Sequence, residues 1–228
     1  MRERWRLISG RERRKAERRA AIIEIAQHKF LEHGFNGTTM SAISTAMGGS
    51  KGTLWSYFSS KEKLFAACVE GAIKSFRDDL AATLDASLDV RKAVGTFAAR
   101  YIEGLCQRDA IALQRLITSE GAQFPELSAI FYRQGPHETL SLLGSYIFGQ
   151  MEKGTLRRDD PNVAAAMIVS LCLGGLRQRV LWGMDRYSAI QAKRDATAVV
   201  DLFWRCYRNV EASERRRFSE VLPVDNNS

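Results

Sequence analysis

The chain has 228 residues, of which 45% are hydrophobic, 26% charged and 9% aromatic, fractions that exclude disordered, collagen-like and coiled-coil chains and leave room for one large or two small domains. Its net charge of +8 is unevenly placed, with 13 Lys/Arg against 6 Asp/Glu in residues 1–63 and 21 against 20 in residues 64–228. That asymmetry either aims one end at a polyanion or leaves it as a solvated tail.

Residues 1–19 hold 9 basic against 3 acidic side chains. Trp5, Leu7 and Ile8 are too short an apolar run for a secretory signal. From about Arg11 the chain reads as a helix with Ile22, Ile25, Ala26 and Phe30 on one stripe, stopped by Gly34. Thr39 is a good N-cap for a short helix carrying Met40, Ile43 and Met47, which ends at Gly48-Gly49. Ser50 can cap a third helix, Lys51 to Phe58. Ser60 can cap a fourth, with Leu64, Cys68, Val69, Ala72, Ile73, Phe76 and Leu80 at helical spacing. Helical periodicity continues over about 90–107, 110–121, 125–132, 136–153, 161–183 and 188–217. Asp160-Pro161 is a clear start signal, with Asp as N-cap and Pro in the first turn. No run alternates with period two. The most apolar stretch, Val163–Leu176, has 14 residues, short of the roughly 20 a membrane span needs, and reads as a buried helix. The four cysteines are too widely spaced for a zinc site and predict reduced, mostly buried thiols in the cytoplasm. The pattern predicts an all-α protein with a small basic N-terminal domain and a larger, near-neutral helical one.

The functional signal lies between Gly34 and Phe65. Two short helices separated by Gly-Gly-Ser follow a longer one, the arrangement of a helix-turn-helix whose second helix enters the DNA major groove. Leu54 and Phe58, four residues apart, can anchor that helix. Lys51, Thr53, Trp55, Ser56 and Tyr57 can reach phosphates, base edges or thymine methyls, and Gly52 lets the backbone approach closely. A helical hairpin with an incidental polar face has the same periodicity.

The run Ser50-Lys51-Gly52-Thr53-Leu54, Tyr57-Phe58 and Ser60-Lys61-Glu62, preceded by His33-Gly34-Phe35 and Thr38-Thr39-Met40, resembles the DNA-binding domain of the TetR/AcrR transcriptional repressors over about residues 15–65. Phe124-Pro125-Glu126-Leu127, Phe131-Tyr132 and Gly135-Pro136 are similar, less specifically, to the C-terminal domain of the AefR-like branch. The resemblance implies a cytoplasmic homodimer that binds a palindromic double-stranded operator and is released by a small-molecule effector. The charge distribution sets off a basic arm over residues 1–19, expected to lie along DNA or in its minor groove unless it is a solvated tail, and the resemblance implies a helix-turn-helix domain over 20–65 and an effector-binding and dimerisation domain over 66–228. Thr39 and Tyr57 would touch phosphates, Lys51, Gly52 and Thr53 would lie over the groove, Ser56 would occupy a variable reading position, and Lys61 would grip the DNA backbone. Gly49 and Trp55 depart from the family's usual residues. The dimer is expected on helices 161–183 and 188–217, through Ala164, Ile168, Leu171, Leu202 and Phe203.

Competing chemistry finds little support. Glu24, His28 and Glu32 recur every four residues and could mimic a metal site, but such a stripe reads as a solvated face. No Walker loop, nucleophile elbow or metalloprotease motif is present, so the expectation is no enzyme, metal or cofactor, and no membrane partner. Gly174-Gly175 suggests close helix packing. Among the aromatics of the larger domain, Phe97, Tyr101, Tyr146 and Trp182 are candidates to line an effector cavity. A helical-bundle enzyme or carrier with an idle basic head, and a DNA-binding regulator controlled by a protein partner, remain open alternatives.

Overall fold

The computed structural model describes residues 10–49 and 51–209, in which every regular element is helical apart from one isolated bridge between Leu156 and Arg208. In chain order the α-helices are α1 (Gly10–Gly37), α2 (Met40–Ala46), α3 (Lys51–Tyr57), α4 (Lys61–Thr83), α5 (Val90–Leu105), α6 (Arg108–Glu120), α7 (Pro125–Tyr132), α8 (Glu138–Glu152), α9 (Pro161–Leu173), α10 (Gly175–Leu181) and α11 (Ala189–Tyr207). Two compact units result. The first runs to Ser75 and also takes in Ala112–Gly135, while the second comprises Phe76–Ile111 and the chain from Pro136 onward. The boundary expected after residue 65 is therefore not where the compact units part, because Leu113, Leu116 and Leu127 bury their side chains in the first unit's core. Of the expected basic arm, residues 1–9 lie outside the described residues, and Gly10–Arg19 are the opening turns of α1.

In the first unit, Ile22, Ala26 and Phe30 follow one another at i+4 and are at most 1% exposed, the repeat that keeps one helix face on the core. Phe30, Phe35 and Phe65 meet ring to ring with centroids 5.4–5.6 Å apart, two of the three contacts edge-on as the ring quadrupoles prefer. α1 breaks at Gly34, whose φ of 76° and ψ of 171° are open essentially to glycine alone. The Thr38 hydroxyl is shared between the carbonyls of Gly34 and Lys29 at 2.7 and 3.0 Å. Thr39 then caps α2, its hydroxyl oxygen accepting the Ala42 N–H at 3.1 Å. Gly48, at φ 61°, turns the chain toward α3, and the Ser44 hydroxyl donates to the Gly49 carbonyl at 3.1 Å to hold that turn.

In the second unit, Phe97, Leu143, Ile147, Ile168 and Phe203 are among the side chains of one continuous core. Asp89, Asp160 and Ser188 cap α5, α9 and α11 through their side-chain oxygens. Three sequence expectations are corrected here. The helix expected over 161–183 is two helices, α9 and α10, bent by 54° at Gly174. Gly175 sits at φ 56°, and the Asp195 carboxylate accepts the Leu176 N–H at 2.7 Å, so the Gly-Gly pair opens a break that a distant acid caps. The helix expected from Pro136 begins in a π-helical turn, Arg133–His137, since a proline inside a helix removes a donor and widens the local winding. The helix expected over 188–217 ends at Tyr207, where Arg208 turns extended and the Arg157 N–H takes the Tyr207 carbonyl at 2.9 Å; residues 210–217 lie outside the described residues. No single described helix is long and apolar enough to cross a membrane.

Gly34→Ala is expected to cost the first unit about 1–3 kcal/mol, the range for a non-glycine residue in this backbone region. A Cβ there would also stand 2.3 Å from an oxygen of Glu120. A urea unfolding midpoint equal to that of the parent protein would show that the break can relax.

Candidate nucleic-acid interface

The short helix α3 is oriented by two side chains. Leu54 is 0% and Phe58 4% exposed, and their four-residue spacing points one face of α3 into the head core. On the other side Gly52, Trp55 and Ser56 are exposed, with Trp55 half out at 50%, while Thr53 and Tyr57 are half-buried. The Ser56 hydroxyl donates to the Thr53 carbonyl at 2.7 Å, which parks it against its own helix. Lys51 opens α3, but its side chain lies outside the described residues. Thr39 is exposed at the start of α2 and combines its capping bond with an outward position. An exposed indole and small hydroxyls on a firmly seated helix are suited to contacts with sugar, phosphate and base edges.

Lys61, expected on the DNA backbone, turns inward instead. Its ammonium donates to the carbonyls of Phe35 and Thr38 at 2.9 and 3.1 Å and stands 4.1 Å from the centroid of the Phe35 ring. On the same short segment the Glu120 carboxylate accepts the N–H groups of Phe35 and Asn36 at 3.0 and 2.7 Å. The backbone groups released where α1 breaks are thus met by one charge of each sign, in a segment that leads directly into α2. Charge-assisted bonds of this kind are the stronger class. At the start of α4 the Ser60 hydroxyl oxygen accepts the Lys63 N–H at 3.2 Å, and the hydroxyl also bonds the Glu62 carboxyl, holding it below its ordinary range.

Arg18 and Arg19, the end of the basic stretch 1–19, join the site together with Lys63, which the sequence reading did not single out. Arg19 stands over the Phe58 ring at 5.2 Å, and with Lys63 it borders a groove whose other walls include Trp55, Ser56 and Tyr57. For Arg18 and Arg19 the signal was available, since they lie four and three residues before the buried Ile22. Glu24, His28 and Glu32 are exposed along α1, and among the described residues no three His, Cys, Asp or Glu side chains are placed to share a metal ion. Of the aromatics expected at an effector cavity, Phe97, Tyr101 and Tyr146 are core residues of the second unit at 0, 5 and 9% exposure. Phe97 and Tyr101 stack at 5.7 Å, and burial pushes the Tyr101 phenol up to about 12. Trp182 is 64% exposed and stands outside that core.

Residues 22–68 match the model of the tetR family of bacterial regulatory proteins, and residues 90–209, over half the chain, match that of the C-terminal domain of AefR-like transcriptional repressors. The chain belongs to the TetR family. The HTH-type transcriptional repressor AcnR of Corynebacterium diphtheriae is 32% identical over 120 residues, a match covering 43% of this chain and 63% of that one. A solved TetR-family protein from Mesorhizobium loti is 27% identical, with a TM-score of 0.77 over 86% of this chain and 98% of its own. The flavonoid-responsive regulator FrrA is 31% identical, with a TM-score of 0.77 over 86% and 99%. As a TetR-family member the chain carries the family's helix-turn-helix DNA-binding domain at its N-terminus. The C-terminal family match includes Ala112–Gly135, which the structure assigns to the compact unit of the head.

Lys61→Met removes the ammonium that clasps the Phe35 and Thr38 carbonyls. It is expected to destabilise the protein in urea by about 2 kcal/mol, the scale of a lost charged hydrogen bond and its stranded carbonyl. Unchanged stability with weaker DNA binding would return Lys61 to the DNA backbone.

Proposed function

We propose that this chain is a homodimeric transcriptional repressor, released from its operator when a small molecule binds the second unit. The observation that carries the reading is α3 itself. Its apolar pair is locked into the head, its other face is exposed, and it sits in a sequence that matches the family's DNA-binding domain. Trp55, Ser56, Thr53, Gly52 and Lys51 would meet the major groove, Thr39 and Tyr57 the phosphates, and Lys61 would act through the segment it clasps. Repression as the sign of regulation is supported by AcnR, described as a repressor, and small-molecule control by FrrA, described as flavonoid-responsive.

Dimerisation is supported by apolar surface that the protomer leaves uncovered. Ala164, Ile168 and Phe203 are consumed by the protomer's own core at 0–1% exposure and are withdrawn from the expected interface. Val163 and Leu171 on α9 and Leu202 on α11 remain 57, 37 and 46% exposed, on two helices that pack against each other. Two heads held by such a seam would read half-sites one helical turn apart, about 34–36 Å. An effector then acts by favouring a head spacing that does not fit this distance. Part of the second family domain, with Leu116, Glu120 and Phe124, is built into the head unit. That gives such a change direct purchase on the segment leading into α2.

Two experiments test this. In a binding-site selection from random duplexes, Ser56→Arg is expected to change the recovered consensus, whereas Thr39→Ala and Tyr57→Phe lower affinity for all sequences alike. An identical consensus for Ser56→Arg and the parent protein would remove α3 from the groove. Leu171→Glu combined with Leu202→Glu is expected to give a monomer by light scattering at micromolar concentration and to abolish tight operator binding. A persistent dimer would put the seam elsewhere.

A further inference from the structure

Residues 10–21 of α1 are all exposed, so the head does not need their side chains to fold. They are helical on propensity, being mostly alanine and straight-chain Arg, Lys and Glu, with an Arg13–Glu17 pair at 3.7 Å as local support. Glu12 in the first turn complements the helix dipole. The cations are not spread evenly around this helix. Counting back from the buried Ile22 by three and four residues reaches Arg19 and Arg18, then Lys15 and Arg14, then Arg11. Residues at these spacings share a face. Five cations therefore continue the side of α1 that is apolar and buried further along, while Arg13 and Glu17 engage each other off that stripe. The stripe also reaches the helix-turn-helix. A guanidinium nitrogen of Arg18 lies 3.1 Å from where a Cβ on Gly49 would stand, and Arg19 covers Phe58 at the end of α3.

We infer that this overhang is a second DNA-binding surface, a preformed basic rail lying on the phosphate backbone of the duplex that flanks the site read by α3. The inference rests on the DNA-binding reading above. A helix about 10–12 Å across with its side chains does not fit a minor groove about 6 Å wide, so the rail lies across the backbone and not within the groove. From Arg18 to Arg11 it extends about 10 Å, the axial rise of roughly three base pairs. Its occupant is nucleic acid rather than an anionic membrane surface, because a membrane-lying helix needs large apolar residues opposite its basic face. Here that side carries Ala16, Ala20 and Glu17. Phosphate contacts position without specifying, so the rail adds affinity and leaves the consensus alone.

The test uses the full chain and an operator recovered by selection with the parent protein, set in duplexes with ten or with two flanking base pairs. The Arg14→Gln/Lys15→Gln double variant removes two rail charges, and Ala16→Pro keeps every charge but breaks the helix. On the long duplex the double variant is expected to flatten the slope of log K against log [salt] by about 3.6 for a dimer, at 0.9 per lost phosphate contact. On the short duplex it should match the parent, with the consensus unchanged. Ala16→Pro is expected to lose the same flank-dependent affinity. Equal slopes for parent and double variant on the long duplex would overturn the rail while leaving the helix-turn-helix reading intact. So would a slope change that persists on the short duplex, or an Ala16→Pro variant that keeps full flank dependence. Should parent protein select no consensus, the α3 reading fails separately, and the slope difference on long random-sequence duplex still decides the rail. Loss of binding by the double variant only to phosphatidylserine vesicles, with DNA slopes equal, would assign the surface to lipid.

Discussion

The head is organised around the break in α1 at Gly34. A helix that ends inside a protein strands backbone donors and acceptors, and buried ones must be met. Here the donors of Phe35 and Asn36 go to Glu120 and the acceptors of Phe35 and Thr38 go to Lys61. A carboxylate and an ammonium thus hold one short stretch of main chain, the first through its N–H groups and the second through its carbonyls. Because α2 begins at Met40, directly after its cap Thr39, the direction in which the helix-turn-helix leaves α1 depends on that clamp. Replacing either charge by an apolar residue leaves part-buried main-chain groups without their partner, the Phe35 N–H in the case of Glu120 and the Phe35 and Thr38 carbonyls in the case of Lys61.

This also bears on what the second family domain contributes to the head. Glu120 closes α6, and Phe124 follows it to pack edge-on against Phe35 at 5.2 Å. Leu113, Leu116 and Leu127 fill the space behind. The head core is therefore completed by residues that lie beyond 90, within the matched C-terminal domain. The compact head is thus not delimited by the matched residues 22–68 alone.

Much of this was readable before any coordinates, for a reason that separates what succeeded from what did not. Thr39, Ser60, Asp160-Pro161 and Gly48 act on residues within four positions of themselves, so local spacing reveals them. Leu54 and Phe58 are likewise fixed by one turn of helix. The features that sequence missed act across long separations. Glu120 meets a segment 84 and 85 residues away, Lys61 one 23 and 26 residues away, and Asp195 caps a break 19 residues before it. Periodicity assigned Ala164, Ile168 and Phe203 to an apolar face correctly but could not say which surface would cover it. Burial in the protomer's own core decided that question against the dimer. The aromatics divide in the same way: Phe97 and Trp182 look alike in sequence, and one is fully buried while the other is 64% exposed.

In the proposed reading, affinity and base selection fall to different parts of the head, and the chemistry of each part follows from how it is held. α3 is short, seated by two apolar side chains, and carries Lys51 as its one charge beside an indole and small hydroxyls, so it has little long-range attraction for a polyanion compared with the overhang. The overhang of α1 has the opposite character. Arg11, Arg14, Lys15, Arg18 and Arg19 are exposed and lie on one side. Electrostatic attraction of that sort supplies most non-specific affinity and speeds the approach to DNA, but it cannot select a site. Selection then falls to side chains that touch base edges only once the duplex is already held. Rigidity in the clamp at residues 34–39 matters for the same reason. A recognition helix with few charges gains discrimination only if its angle is set before contact, since every degree of freedom left open must be ordered out of the binding energy.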